Sequence, residues 1–146
     1  MGRIVVSTVI EAPPNEVWAG VEDIAGHVDW MGDATAVRFV SEATSGVGTA
    51  FDCDTKVGPF SLTDRMVITE WVEGKTMGVG HVGLVKGEGR FTLSPVPGAG
   101  TEFTWDEELT FPWWMGGRIG GSIGGLILKR IWHKNLAALK DQIENG

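Results

Sequence analysis

Three ionisable residues stand in rows of apolar side chains at the two-residue spacing of a β-strand. They are Asp64, His81 and Glu107, and each alternates along the chain with large apolar residues. Because alternate residues of a strand share one face, each of these groups is predicted on the inward face of a sheet. A carboxylate or imidazole in apolar surroundings has a shifted pKa and can act as an acid or a base. A strand end that reaches solvent is the alternative for each of them.

The same rows supply an apolar surface that could bind a ligand beside these groups. Its members are large or soft side chains that share the predicted inward faces, namely Phe51, Cys53, Met66, Met77, Val79, Phe91 and Trp105. Asp52 and Asp54 alternate with this set and are predicted on the opposite, solvated face, where they would not form a metal site.

The segment "GGRIGGSIGG" at 116–125 holds three pairs of glycines spaced four residues apart. It lacks both the G-x-G-x-x-G spacing of a dinucleotide-binding loop and the G-x-x-x-x-G-K of a phosphate loop. At about 100° per residue, Gly121 and Gly125 share a helix face with later apolar residues, namely Leu128, Trp132, Leu136, Leu139 and Ile143. Each helical glycine costs on the order of 1 kcal/mol relative to alanine, so a gain of space must compensate. We therefore predict a slim helix face that borders a cavity; a frayed linker before a helix that starts near Ser122 is the alternative.

Hydrophobic periodicity predicts one α+β domain over residues 1–146, with the order strand, two short helices, six strands and long helix. The first strand covers 3–10, Pro13 and Pro14 start the first helix, and a second short helix covers 24–31. Short connections such as Gly58-Pro59 indicate hairpins and hence a mostly antiparallel sheet. The six later strands are predicted at 35–42, 49–57, 60–71, 75–82, 84–93 and 101–111, before a helix over 119–144.

Composition and charge exclude several classes of function. The net charge of −7 argues against nucleic acid, because neutralising phosphates needs clustered lysine and arginine. The single cysteine, Cys53, has no partner for a disulfide or a thiolate metal site. No leader pattern stands at the N-terminus, and no run approaches the ~18 apolar residues that span a membrane. We expect a cytoplasmic protein without a metal or another cofactor.

Tryptophans and the basic C-terminal segment mark possible contact surfaces. Trp30 stands at the end of the second short helix. Trp113 and Trp114 follow the last strand, where one of them is predicted to lie over the opening of a cavity; a hydrophobic staple for that loop is the alternative. On the long helix, a second apolar face lies close to Arg118 and Arg130, and it would suit a membrane surface or a protein if exposed. Loops or the short helices that cover this face are the alternative. Its members are Ile119, Ile123, Leu126 and Ile127.

Four stretches together resemble the START/Bet v 1-like (SRPBCC) superfamily, in particular its polyketide cyclase/dehydrase and lipid-transport family. They are "STVIEAPPNEVWAGVEDIAGHVDW", "DRMVITEWVEGKTMGVG", "GAGTEFTWDEEL" and "NLAALKDQIE". The resemblance implies a helix-grip fold, in which a curved antiparallel sheet of about seven strands surrounds a long C-terminal helix. It also implies an elongated apolar cavity between sheet and helix, and it places the end of the second short helix, with Trp30, near the mouth of that cavity. The superfamily has no universal catalytic motif, so no catalytic residue carries over.

The expected function is to bind or carry a small hydrophobic ligand, lipid or polyketide-like, in that cavity. One alternative is a cyclase or aromatase that uses the cavity acids and bases. Another is a module that contacts a protein or transiently a membrane surface. The chain is expected to be a monomer or a homodimer.

Overall fold

The computed structural model describes residues 2–111 and 117–146, and side chains over 2–111 and 124–146. The helical elements are α1 (Pro14–Val21), a 3₁₀ helix (Ile24–Asp29) and α2 (Gly117–Asn145). The strands are β1 (Gly2–Ile10), β2 (Ala34–Phe39), β3 (Ala50–Val57), β4 (Phe60–Val72), β5 (Thr76–Val82), β6 (Lys86–Val96) and β7 (Gly100–Thr110). The predicted order of elements is therefore confirmed.

The seven strands form one curved sheet in the order β1-β7-β6-β5-β4-β3-β2. Every neighbouring pair is antiparallel, and β3 to β7 follow one another through connections of two or three residues. The first strand, β1, pairs with the last strand, β7, and forms one edge of the sheet. Register shifts in β2 and β4 interrupt the ladders, and such bulges increase the local bend and twist of a strand.

The short helices cover one end of the concave face. Pro14 opens α1, as its fixed φ and missing N–H suit a first helical position. Val17, Trp18 and Val21 of α1 are buried. The second short helix differs from the prediction, because 24–29 is a 3₁₀ helix that ends two residues earlier than expected. Gly26 and His27 in its middle give the segment little α-helical propensity.

The core lies between the sheet and the C-terminal half of α2. Trp132 of α2 stacks on Trp105 of β7 with 4.3 Å between ring centroids and 11° between planes. Trp105 in turn meets Phe91 and Trp30 edge-on. Leu136 and Leu139, one and two turns beyond Trp132, are also buried, so α2 packs along the face that the sequence predicts. Aromatic pairs of this geometry contribute about 0.5–1.5 kcal/mol beyond area burial.

The glycine-rich segment is helical from Gly117, which confirms the helix prediction over the alternative of a frayed linker. Gly124 and Gly125 both have open space where a Cβ would stand. Close packing against another backbone therefore does not offset the helix-propensity cost of glycine at these two positions.

The convex face carries ion pairs between neighbouring strands. Arg38 holds Asp54 through two hydrogen bonds of 2.6 and 2.8 Å, and Arg65 holds Asp52 in the same way. Asp52 and Asp54 therefore lie on a solvated face, as predicted, and each is neutralised by an arginine.

Candidate functional site

A cavity of about 420 Å³ lies between the concave face of the sheet and α2. Strands β2 to β7, the 3₁₀ helix and α2 all contribute to its wall, which is largely apolar. Its volume falls within the range of pockets that hold small organic ligands. The cavity thus offers space for a small organic molecule beside the candidate residues.

The three candidate ionisable groups form one buried cluster on the sheet side of this cavity. His81 of β5 meets Asp64 of β4 through Nδ1 and Oδ2 at 2.5 Å. The other ring nitrogen, Nε2, lies 2.8 Å from Oε1 of Glu107 on β7. All three side chains are at most 7% exposed. We call these three residues the acid–imidazole cluster.

Glycines of β6 allow Glu107 to reach His81, although β6 separates their strands. Gly89 pairs with Glu107 on one side and with Val79 on the other. A Cβ at Gly89 would stand 2.3 Å from Cγ of Glu107 and 2.5 Å from its Oε1. The Glu107 side chain therefore crosses β6 in the space that a side chain at 89 would fill.

Gly87, two residues earlier, faces His81 in the β5–β6 register and has φ 140°, a conformation that favours glycine. A Cβ there would stand 1.9 Å from the carbonyl oxygen of Glu108. The sequence K-G-E-G-R at 86–90 is thus a local signal for the cluster, which strand alternation alone does not reveal.

The cluster holds His81 as a cation at neutral pH. Burial by itself lowers the pKa of His81, but hydrogen bonds to Asp64 and Glu107 and the charges of both carboxylates outweigh burial. Together they raise the pKa of His81 to about 10. Both ring nitrogens then donate, one to each carboxylate, so His81 has no lone pair with which to act as a base at neutral pH.

Each carboxylate of the cluster keeps one oxygen that His81 does not use. Oδ1 of Asp64 is fully buried and has no hydrogen-bond partner in the described part of the chain. Glu107 lines the cavity, and within the described residues only its Oε1 takes part in a hydrogen bond. Unlike Oδ1 of Asp64, Oε2 of Glu107 is not fully buried, so it is the acceptor that the cluster presents to the cavity.

A second polar group ties the loop before β2 to α2. Asp33 accepts hydrogen bonds from Asn135 Nδ2 at 2.8 Å and from Trp132 Nε1 at 3.3 Å. Asn135 in turn accepts from the backbone N–H of Gly32 at 2.9 Å. Both oxygens of Asp33 are thus occupied, which fixes the ring of Trp132 at the cavity wall.

His27 is a further buried polar residue on the wall. Its Nε2 donates to the carbonyl oxygen of Val21 at 2.7 Å. Burial lowers the pKa of His27, although that hydrogen bond acts in the opposite direction. His27 is therefore neutral at physiological pH, in contrast to His81.

Cys53 faces the cavity, but burial raises the pKa of its thiol to about 11. A thiol in this state is a poor nucleophile, since the reactive form is the thiolate. Cys53 thus belongs to the apolar wall.

Eleven of the predicted ligand-binding residues lie on the cavity wall, and whether a ligand touches them stays a prediction. Six of them alternate on β3, β4 and β5, and the others come from β6, β7 and α2. They are Phe51, Cys53, Asp64, Met66, Met77, Val79, Phe91, Trp105, Glu107, Leu128 and Trp132.

Two residues expected on the wall lie behind it. His81 is enclosed by the two carboxylates that bind it. Trp30 is buried among Phe91, Phe103 and Trp105, so it belongs to the aromatic core and not to a cavity mouth.

The glycine predicted on the wall is displaced by one position. Gly124, one turn before Leu128, borders the cavity, whereas Gly125 does not, although Leu128 and Trp132 lie on the wall as predicted. Trp113 and the neighbourhood of Gly121 lie outside the residues whose side chains are described.

Sequence reasoning missed several wall residues. His27 comes from the 3₁₀ helix and Asp33 from the turn before β2, and periodicity gives no signal for either. Alternation does place Leu62, Leu109 and Phe111 on the inward faces of Asp64 and Glu107, so only their position at the cavity is new. Val85 lies in the turn before β6 and had no comparable signal.

Apolar residues at one end of the cavity are exposed. Phe60 at the β3–β4 turn and Ile127 of α2 both border the cavity and are 68% and 47% exposed. Leu126, next to Ile127, is 72% exposed. The sequence pattern left open whether the second helix face is exposed or covered, and Leu126 and Ile127 are exposed. The side chains of Ile119 and Ile123 lie outside the described residues. In the described part of the chain, no helix combines the length and the hydropathy needed to cross a membrane.

The geometry of the acid–imidazole cluster does not suit a metal ion. Its carboxylates lie on opposite sides of the imidazole and meet its two nitrogens. A metal centre needs ligand lone pairs that converge on one point, and here the imidazole ring of His81 occupies the space between the two carboxylates.

Comparison with known proteins gives a family model and many similar folds. The family model described as polyketide cyclase / dehydrase and lipid transport matches residues 1–144. No curated protein sequence matches the chain significantly. Protein TTHA0849 from Thermus thermophilus superposes with a TM-score of 0.81 at 16% identity, with 97% of each chain covered.

Two further solved structures show the same fold at low identity. A START superfamily protein from Mycobacterium smegmatis gives a TM-score of 0.79 at 12% identity, with 97% of each chain covered. The Aha1 dimer from Colwellia psychrerythraea gives 0.68 at 18% identity over 100% of this chain and 98% of that one. These structures establish the helix-grip architecture and leave the ligand open.

Proposed function

The chain belongs to the polyketide cyclase/dehydrase and lipid transport family, and on this premise we propose that it binds one small hydrophobic molecule in the cavity between sheet and α2. The observation that carries the proposal is the cavity itself, which is about 420 Å³ in volume and lined mainly by aliphatic, methionine and aromatic side chains. An apolar ligand would replace water there and gain roughly 25 cal/mol per Å² of apolar surface buried.

Native mass spectrometry of the purified protein tests this proposal. A bound apolar molecule at one per chain, identified after organic extraction, supports it. An empty protein that also refuses aliphatic alcohols and aromatic polyketides contradicts it.

Replacing Gly124 with leucine is expected to reduce ligand uptake at least tenfold, because the new side chain would enter the cavity. A Cβ at this position meets no atom within 4 Å, so the fold should accept it. Gly125→Leu is the matched control, since Gly125 has equal space but does not border the cavity. Both variants should gain about 0.5–1 kcal/mol of helix propensity. Equal binding by the two variants, measured by titration with one probe, would contradict the placement of the cavity.

A second candidate function is acid–base catalysis on the bound molecule, of the cyclase type. The observation that favours it is the free Oε2 of Glu107, which lies at the wall of a largely apolar cavity. A carboxylate there could take a proton from a substrate carbon or hydroxyl group, while His81 stabilises the charge of the cluster.

Glu107→Gln should then abolish turnover of a polyketide-like substrate and leave its uptake measurable. Turnover that survives this substitution would rule out Glu107 as the base.

A further inference from the structure

We propose that the ligand carries a hydrogen-bond donor, a hydroxyl or a protonated amine, which binds Oε2 of Glu107, and that molecules ending in a carboxylate are rejected. This inference rests on the proposed binding function and specifies the chemistry of the ligand. It identifies Glu107 as the polar anchor in an otherwise apolar cavity.

The charge of the cavity wall supports a donor and disfavours an anion. Among the described residues, three carboxyl groups border the cavity, those of Asp33, Asp64 and Glu107. The imidazolium of His81 offsets one of these three negative charges, and it binds both Asp64 and Glu107. Arg90 also borders the cavity, but its guanidinium is 58% exposed and lies 3.4 Å from Glu70. The described wall therefore presents an excess of acidic groups to a ligand.

The hydrogen-bond partners single out one acceptor among these groups. Both oxygens of Asp33 already accept, from Trp132 and Asn135. Oδ1 of Asp64 has no partner among the described residues, but it is sealed from any probe of water size. Oε2 of Glu107 remains, on a side chain that is 7% exposed and that lines the cavity.

The position of this oxygen is fixed through the other oxygen of the same carboxylate. His81 fixes Oε1 at 2.8 Å, and the absence of a side chain at Gly89 leaves the path that Glu107 follows across β6. A polar group fixed in this way needs no rearrangement to accept a donor, and hydrogen bonds strengthen in surroundings of low polarity. An alkane would leave Oε2 without a partner, and a carboxylate would bring two like charges together.

Four ten-carbon probes separate these cases, since they share one chain and differ only at its end. They are 1-decanol, decylamine, decanoate and decane, each titrated at neutral pH into the full-length protein and followed by native mass spectrometry. We expect the wild type to bind decanol or decylamine at least about tenfold more tightly than decanoate, the effect of one charged hydrogen bond. Whichever of decanol and decylamine binds more tightly then shows whether the donor of the ligand is a hydroxyl or an ammonium group.

The quantity to compare is the ratio of the affinity for the tighter donor probe to the affinity for decanoate. Glu107→Gln, which keeps the shape of the side chain, should reduce this ratio by about tenfold, chiefly because decanoate binds better. Glu108→Gln is the matched control, because Glu108 is the adjacent carboxylate on the opposite, exposed face of β7, and its ratio should equal that of the wild type.

Tight binding of decanoate by the wild type, or an unchanged ratio in Glu107→Gln, would overturn the inference while the binding function stands. No uptake of any probe, decane included, would overturn the binding function and this inference with it. Should Glu107→Gln fail to fold, the wild-type ratio decides by itself.

Discussion

Gly89→Ala is expected to destabilise the protein by about 2–4 kcal/mol, far more than an ordinary glycine replacement in a strand. The added Cβ would stand within 2.7 Å of Cγ, Cδ and Oε1 of Glu107, so the carboxylate must leave His81. The buried imidazolium then loses one of its two partners, and the displaced carboxylate must find another place in an apolar cavity. Urea unfolding followed by tryptophan fluorescence measures the loss.

Gly80→Ala is the control for the backbone effect, because Gly80 lies inside β5 and its Cβ would make an ordinary contact of 3.4 Å with Thr69. Since alanine restricts the unfolded chain more than glycine, Gly80→Ala should be neutral or slightly stabilising. The specific cause is tested by repeating Gly89→Ala in a Glu107→Ala background, where no carboxylate is displaced. The destabilisation should then largely disappear; a loss of equal size in both backgrounds would show that Gly89 acts through something other than Glu107.

The cluster shows what sequence patterns reveal and what they leave out. Strand alternation places Asp64 and Glu107 on the inward face, because a period of two is fixed by strand geometry. The link between them through His81 depends on three ladder registers, β4–β5, β5–β6 and β6–β7, and periodicity within one strand carries no information about register. The sequence therefore predicts the groups but not that one imidazole joins them.

The helix side of the cavity shows the same limit. Helical periodicity predicts the buried positions of Leu136 and Leu139 correctly, because many apolar residues together define that face. Near the glycines there are few large side chains to define it, and Gly124 rather than Gly125 borders the cavity. Asp33 comes from irregular backbone, which has no period at all. The fold was thus predictable from pattern and resemblance, whereas the polar contacts needed coordinates.

The second large effect expected is a pH dependence of stability that His81 controls. The pKa of His81 rises from 6.5 in the unfolded chain to about 10 in the folded protein, because Asp64 and Glu107 hold its protonated form against the effect of burial. The folded state then binds the proton more tightly than the unfolded state. This stabilisation is complete below about pH 6.5, declines as the pH rises, and is lost above about pH 10. Its size is on the order of a few kcal/mol.

His27 and Cys53 also make stability depend on pH, in ranges that adjoin that of His81. A comparison of two proteins that both contain these residues removes their contributions. The lowered pKa of His27 costs stability as the pH falls below 6.5, because only the unfolded state gains that proton. The pKa of Cys53, raised from 9.0 to about 11, costs stability as the pH rises above 9, because only the unfolded state releases that proton. Both effects occur equally in the wild type and in a His81→Gln variant, so they cancel when the two proteins are compared.

We expect the free energy of unfolding of the wild type to exceed that of His81→Gln most at pH 6 and to approach it steadily up to pH 10. The physical reason is that glutamine can bridge two carboxylates only through neutral N–H groups, and its interaction with them does not change with pH. Nitrogen-15 shifts of His81 provide a second measurement, because both ring nitrogens should stay protonated to about pH 10. A constant difference between the two proteins from pH 6 to 10, or a ring that titrates near 6.5, would show that the carboxylates do not hold an imidazolium. Glu107 would then lack the charged partner that fixes Oε1, and Oε2 would no longer be a fixed anchor for the ligand.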